Sequence, residues 1–349
     1  MKPSFVFIID VVGACNLKCP TCPNGNYTEV RNPAGFMTEE TLREILEKAT
    51  RECEVTKVCL FNWYEPLLHP RLPELIRIVK SFGLSCTVSS NLNLLRNPDA
   101  ILAANPDSFR ISISGFTQEN YGVTHQGGDI EKVKTNMRLL AESRKRVNSS
   151  TAIYAFFHRY LGNLDDEVRL RKYARELGFD FDFAWAYFMP LEKTLALVDP
   201  TFKDTSLTEK DREVIDRLAM PLPEVLAAAK ANRHIPCSLR DQQMTIDFQG
   251  RVQLCCGVFD FSKYSLGKYL DIPHERLQDM KNAHEMCARC MNHGLHAYLV
   301  CEVPGLDRMA KLRVNRHYAD NDFSMEFPGL LGATHKLITR GLRRLRRLF

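Results

Sequence analysis

The first half of the chain alternates two hydrophobic rhythms. Short apolar runs rich in Val, Ile, Phe and Tyr are each followed by a stretch whose apolar residues recur every three or four positions. "FVFIIDVV" (5–12), "KVCLF" (57–61), "LSCTVSS" (84–90), "FRISIS" (109–114), "TAIYAFF" (151–157) and "FDFAWAYF" (181–188) read as strands. Between them, "TEETLREILEKAT" carries Leu42, Ile45, Leu46 and Ala49 on one helical face, with Thr38 as its cap. "LPELIRIVKSFG" places Leu72, Leu75, Ile76 and Val79 together and stops at Gly83. "NPDAILAA", "DIEKVKTNMRLLAESRKR" and "DDEVRLRKYARELG" continue the series. Strand–helix alternation predicts an α/β fold with a parallel sheet. Six such units are too few to close an eight-fold barrel, so a partial (β/α)6 TIM-like barrel is expected, with its site at the C-terminal strand ends.

This rhythm stops near residue 200. The expected organisation is a barrel over 1–200, a small cysteine-rich α+β domain over 201–325, and a basic amphipathic tail over 326–349. In "LITRGLRRLRRLF", Ile338, Leu342, Leu345 and Phe349 recur at helical spacing and the arginines fill the other face. Such a helix suits an anionic membrane surface or an acidic partner, and equally a capping or solvated end.

Charge adds one correction to the composition. Of the 47 basic residues, six lie in 336–349; the remaining 41 face 42 acidic residues, so the formal charge of +5 belongs to the tail. The body is neutral and offers no general surface for nucleic acid. No run of eighteen apolar residues and no secretory signal occurs, so a cytoplasmic protein is expected, the tail being a candidate for contact with the inner face of the membrane. Twelve cysteines in a long, cytoplasmic-looking chain point to metal rather than disulfides.

Three of those cysteines crowd into "GACNLKCPTC". Cys15, Cys19 and Cys22 follow the first strand on a loop that opens at the C-terminal end of the sheet. A structural zinc or a complete iron–sulfur cluster takes four ligands, so three leave one position open for chemistry. The spacing alone is also compatible with a zinc knuckle.

The motif resembles that of the radical S-adenosylmethionine (radical SAM) enzymes. The resemblance implies a [4Fe–4S] cluster on Cys15, Cys19 and Cys22, with SAM chelating the fourth iron. It implies reductive cleavage of SAM to a 5′-deoxyadenosyl radical that abstracts hydrogen from substrate. It extends over about residues 5–190. "FNWYEPLLHP" (61–70) is similar to the family's Gly-Gly-Glu-Pro segment, with Glu65 where the SAM amino group is held, but Trp63 and Tyr64 replace the glycines. "SSNLN" puts Asn91 near SAM, and "RISISG" offers Ser112 and Ser114 to its carboxylate or ribose. Thr21 stands where the family often has an aromatic residue.

A second set follows in the C-terminal part. "CSLRDQQMTIDFQGRVQLCC" (237–256) reads as a hairpin turning at Gln249–Gly250, with thiols at both ends. Cys237, Cys255, Cys287 and Cys290 suffice for one cluster or one zinc. The region resembles the shorter, single-cluster form of the SPASM auxiliary domain, which implies a second [4Fe–4S] cluster on these four. Cys256 and Cys301 are left over. Each reads as a small buried hydrophobe; Cys256, beside a ligand, is also a candidate catalytic hydrogen donor. Cys53, Cys59 and Cys86 read as core.

Trp63, Tyr64, His69, His125, His158, Arg159, Trp185 and Tyr187 fall where strand ends should be, as packing or as substrate contacts; His69 reads as structural. The resemblance implies a polar small-molecule substrate, a sugar or cyclitol undergoing dehydrogenation, dehydration or epimerisation, and a flavodoxin- or ferredoxin-type electron donor. A peptide-modifying maturase is the alternative. With the first cysteine at residue 15, the leader-binding domain such maturases often carry is not expected upstream.

Overall fold

The computed structural model describes residues 2–27 and 29–320. One nine-stranded sheet organises them, in the order β6-β5-β4-β3-β2-β1-β7-β8-β9. β1 (Ser4–Ile9), β2 (Glu54–Cys59), β3 (Cys86–Ser90), β4 (Ser108–Ile113), β5 (Ala152–Arg159) and β6 (Asp180–Trp185) are the six predicted strands. All are parallel, each beside its predecessor. The sheet is open, as six units require.

The connecting helices form where the apolar periodicity places them. Glu39–Glu52 buries Leu42, Ile45, Leu46 and Ala49, and the Thr38 hydroxyl accepts the Thr41 N–H at 3.0 Å. Leu72–Ser81 buries Leu75, Ile76 and Val79 and ends before Gly83, whose φ of +70° suits a residue without Cβ. The sheet alternates accordingly. In β4, Phe109, Ile111 and Ile113 are buried while Ser108, Arg110 and Ser112 keep partial exposure on the other face. That second face lines the barrel interior.

The predicted hairpin exists as β7 (Gln243–Ile246) and β8 (Arg251–Gln253), turning at Gly250 with φ of +76°. It does not stand apart from the barrel. β7 lies parallel to β1, and β9 (Ser265–Lys268) extends the sheet beyond β8. The edge that β1 would otherwise expose is thereby paired. The sheet thus runs across the position near residue 200 where the strand–helix rhythm ends. Among the described residues no helix is long and apolar enough to cross a membrane. The expected basic tail, 326–349, lies outside the described residues.

Candidate active site

The three-cysteine loop leaves β1 at Asp10, and backbone hydrogen bonds curl it. Cys22 N–H donates to the Cys19 carbonyl at 3.0 Å, and Asn26 N–H to the Cys22 carbonyl at 3.0 Å. Gly25 permits the curl: a Cβ there would stand 2.3 Å from the Cys19 oxygen. Behind the loop, the fully buried Lys193 donates to Asn26 O at 2.6 Å and pairs with Asp211 at 2.7 Å.

Cys15, Cys19 and Cys22 come together. Burial is the main force raising each thiol, to about 12 at Cys15 and about 11 at Cys22, and Glu65 and the neighbouring cysteines push Cys15 and Cys19 further. Three crowded thiols beside a carboxyl cannot all ionise alone. A multiply charged cationic centre reverses that balance, so this donor set fits an iron–sulfur cluster.

Glu65 comes from the loop after β2 and is almost wholly buried. Its Oε1 accepts Leu67 N–H at 3.0 Å and its Oε2 accepts Asn91 N–H at 2.8 Å. Burial lifts its carboxyl to about 7. No lysine or arginine pairs with it among the described residues, so an ammonium group is the complement it lacks. Asn91 turns toward the cysteines: its Nδ2 donates to Asn16 Oδ1 at 2.9 Å and reaches Cys15 Sγ at 3.9 Å. Glu65 N–H also donates to Ala14 O at 3.1 Å, tying the second loop to the first.

The two serines separate. Ser112 faces the interior with partial exposure. Ser114 is buried, and its hydroxyl is taken up by Thr124 Oγ1 at 2.7 Å and His125 Nδ1 at 2.9 Å. The turn after β4 carries it against Thr124 and His125 at the end of the Gln118–Thr124 helix.

Asp10 is the residue sequence reasoning passed over, seen only as a charge in an apolar run. Buried, and raised by that burial to about 7, it accepts the backbone N–H groups of Asn62, Trp63 and Tyr64 at 2.8, 3.2 and 3.3 Å. This explains how the loop dispenses with two glycines. Asp10 holds the backbone, and the aromatic side chains turn toward the C-terminal part. Trp63 Nε1 donates to Val258 O at 2.9 Å, and Tyr64 and Trp63 pack on Phe259 with centroids 6.3 and 6.1 Å apart. Thr21, where the family often has an aromatic residue, hydrogen-bonds the hydroxyl of Tyr160, just past the end of β5, at 2.9 Å.

Other strand-end residues divide likewise. His69 is structural, bonded to Met37 O at 2.9 Å. Arg159 lies on the outer face, in a bidentate pair with Glu167 at 2.6 and 2.8 Å. Trp185 also faces outward, its Nε1 donating to Asp307 at 3.0 Å. Tyr187, past the end of β6, turns instead into the electrostatic neighbourhood of Arg110, Cys256 and Cys301. His125 is buried and His158 half-buried on the interior side, and desolvation holds both neutral, down to about 4 and about 3.

Cys237, Cys255, Cys287 and Cys290 line one cavity with Leu191, Leu254, Met291 and His296. Cys255 follows β8, and Cys287 and Cys290 lie one turn apart on the helix Glu285–Asn292. The buried Lys281 stands among them, donating to Gln243 O; burial lowers it to about 8 against the pull of the thiols. Cys256 is absent from the cavity wall, but Cys237 of that wall is its leading charged neighbour, with Cys59 and Tyr187 also near. No group of three His, Cys, Asp or Glu able to hold a single metal ion occurs among the described residues.

Residues 9–170 match the profile described as the Radical SAM superfamily. A segment is 28% identical over 148 residues to GTP 3′,8-cyclase of Chlorobaculum tepidum, covering 41% of this chain and 43% of that protein. The chain thus spans less than half the length of that relative. The fold is similar to that of Streptococcus suis SuiB bound to S-adenosylmethionine, with TM-score 0.54, 13% identity, and 82% and 67% of the two chains covered. It is also similar to anSMEcpe with bound AdoMet, with TM-score 0.53, 17% identity, and 89% and 100% covered. Over residues 9–170, which hold the cysteine loop, Glu65 and Asn91, the chain is similar to the Radical SAM superfamily.

Proposed function

We propose that this chain cleaves S-adenosylmethionine reductively and abstracts a hydrogen atom from a polar small molecule held inside the partial barrel. The carrying observation is the meeting of two loops: Glu65 binds the Asn91 backbone, and Asn91 reaches Asn16 and Cys15. Cys15, Cys19 and Cys22 would hold a [4Fe–4S] cluster, which supplies the one-electron cleavage when SAM is bound. Glu65 would accept the SAM ammonium, exchanging a costly buried carboxyl for an ion pair. Asn91 and Ser112 would orient the rest of SAM. Cys237, Cys255, Cys287 and Cys290 would hold an auxiliary [4Fe–4S] cluster, and a flavodoxin- or ferredoxin-type protein would supply electrons.

The small-molecule reading draws support from the closure of the interior. Segment 254–260 is tied to the barrel through Trp63 to Val258, Leu191 to Gly257 and Asn32 to Phe259. Tyr187 lies in this region, with Cys301, Cys256 and Arg110 around it. The sequence match to a cyclase named for a nucleotide points the same way. A sugar or cyclitol is the substrate class proposed.

The test supplies anaerobically reconstituted enzyme, SAM and dithionite with a deuterated pool of low-molecular-mass metabolites or a deuterated peptide pool. Deuterium should enter 5′-deoxyadenosine from the metabolite pool. Label arriving only from peptides would overturn the small-molecule reading.

A further inference from the structure

Arg110 opens the "RISISG" segment, in which only Ser112 and Ser114 are candidates, and it lies on the interior face of β4. Its Nε donates to the buried Ser89 hydroxyl at 2.8 Å. Its guanidinium lies over Phe61 at 4.6 Å and Phe156 at 4.9 Å from the ring centroids. Those contacts fix the plane of the fork and leave both Nη groups unused. No carboxylate lies within ion-pair distance of it among the described residues. Arg110 keeps partial exposure on this face, and Asp182 of β6 acts on the neighbouring Tyr154 from the same side.

A second, independent feature lies beside it. Tyr154 pairs in register with Arg110 across β4 and β5, so the two side chains share the interior face. The Tyr154 ring is buried, yet its hydroxyl has no hydrogen-bond partner. Buried hydroxyls almost always find one. Two unspent donor groups, one cationic, thus lie side by side on the interior face. Ser112 lies two residues further along the same face, about 7 Å toward the cysteine loop.

We propose that Arg110 and Tyr154 bind an anionic group of the substrate, a carboxylate or phosphate, anchoring it so that its other end reaches the cysteine loop. The planar fork suits either oxyanion bidentately. This rests on the reading of the barrel interior as the substrate site, and it narrows the substrate to an acidic one, such as a sugar acid or a phosphorylated polyol.

The experiment titrates inorganic phosphate and, separately, acetate into reconstituted holoenzyme, following heat. Wild type, Arg110→Lys, Arg110→Met and Tyr154→Phe are compared, with folding checked by circular dichroism. Saturable binding of one anion is expected, weakened about tenfold or more in Arg110→Met and less in Arg110→Lys and Tyr154→Phe. The preferred anion identifies the substrate group. SAM affinity should stay within about twofold of wild type in all variants. Absence of saturable anion binding to wild type, or equal binding to Arg110→Met, overturns the proposal. A parallel loss of SAM affinity overturns it too, by assigning Arg110 to the SAM carboxylate. Formation of 5′-deoxyadenosine in the same samples reports separately on the radical reaction.

Discussion

The Glu65 carboxylate accepts the backbone N–H of Asn91 at 2.8 Å, joining the loop after β2 to the end of β3 beside the cysteines. Glu65→Gln keeps the size of the side chain but replaces one acceptor with a donor and removes the charge. SAM affinity should fall about tenfold to a hundredfold, the range for a charged hydrogen bond. Iron content should not change. Equal SAM binding by equilibrium dialysis would remove Glu65 from the SAM site.

Gly25 lies against the backbone of the cysteine loop, so Gly25→Ala must displace it. The predicted result is a folded protein that loads about four fewer irons, leaving the second site filled. Iron and sulfide analysis after reconstitution checks this; full loading would mean that the loop adapts.

Behind the same loop, Lys193 and Asp211 are both fully buried. Lys193→Met strands the Asp211 charge and should cost about 3–5 kcal/mol in urea unfolding. Adding Asp211→Leu should recover most of that loss. A single variant as stable as wild type would show that the pair is dispensable.

Glu192 gives a pH-dependent expectation. Its Oε1 accepts the Phe259 and Asp260 N–H groups, and burial raises its carboxyl from 4.5 to about 7. Between those values the folded chain keeps a proton that the unfolded chain has lost, so this group's contribution to stability falls as pH rises. Glu192→Gln keeps the acceptor and does not titrate. Its advantage over wild type should grow from near zero at about pH 4.5 to as much as about 3 kcal/mol above about pH 8. A pH-independent difference would contradict the assignment.

Cys256 lies off the wall of the four-thiol cavity but close to Cys237, with Cys59 and Tyr187 also near it. If it returns hydrogen to a substrate radical, Cys256→Ala should still form 5′-deoxyadenosine but lose the hydrogen-returned product. Unchanged product and rate would reduce Cys256 to packing.

The sequence and the structure agree best where pattern is local. Six parallel strands and their helices were legible because each buries its own apolar face, as Leu42, Ile45 and Leu46 do. The three-cysteine loop and the Glu65–Asn91 segments were legible because their chemistry is compressed into short stretches. What escaped depends on distant partners. Asp10 earns its role only from amides more than fifty residues away. Four-residue β7 carries no signal that it will pair with β1. Trp185 and Tyr187 share an alternation on paper, but β6 ends at Trp185 and Tyr187 turns inward. Arg110 was invisible because what marks it is a missing counter-charge, and a missing partner has no sequence pattern.

The central claim is radical chemistry at Cys15, Cys19 and Cys22. Its most direct test is 5′-deoxyadenosine formation from SAM under dithionite, with iron counted in the same samples, for wild type and the Cys15/Cys19/Cys22→Ala variant. The account predicts product and about eight irons for wild type, and no product with about four irons for the variant. Product from the variant, or none from fully loaded wild type, would contradict it.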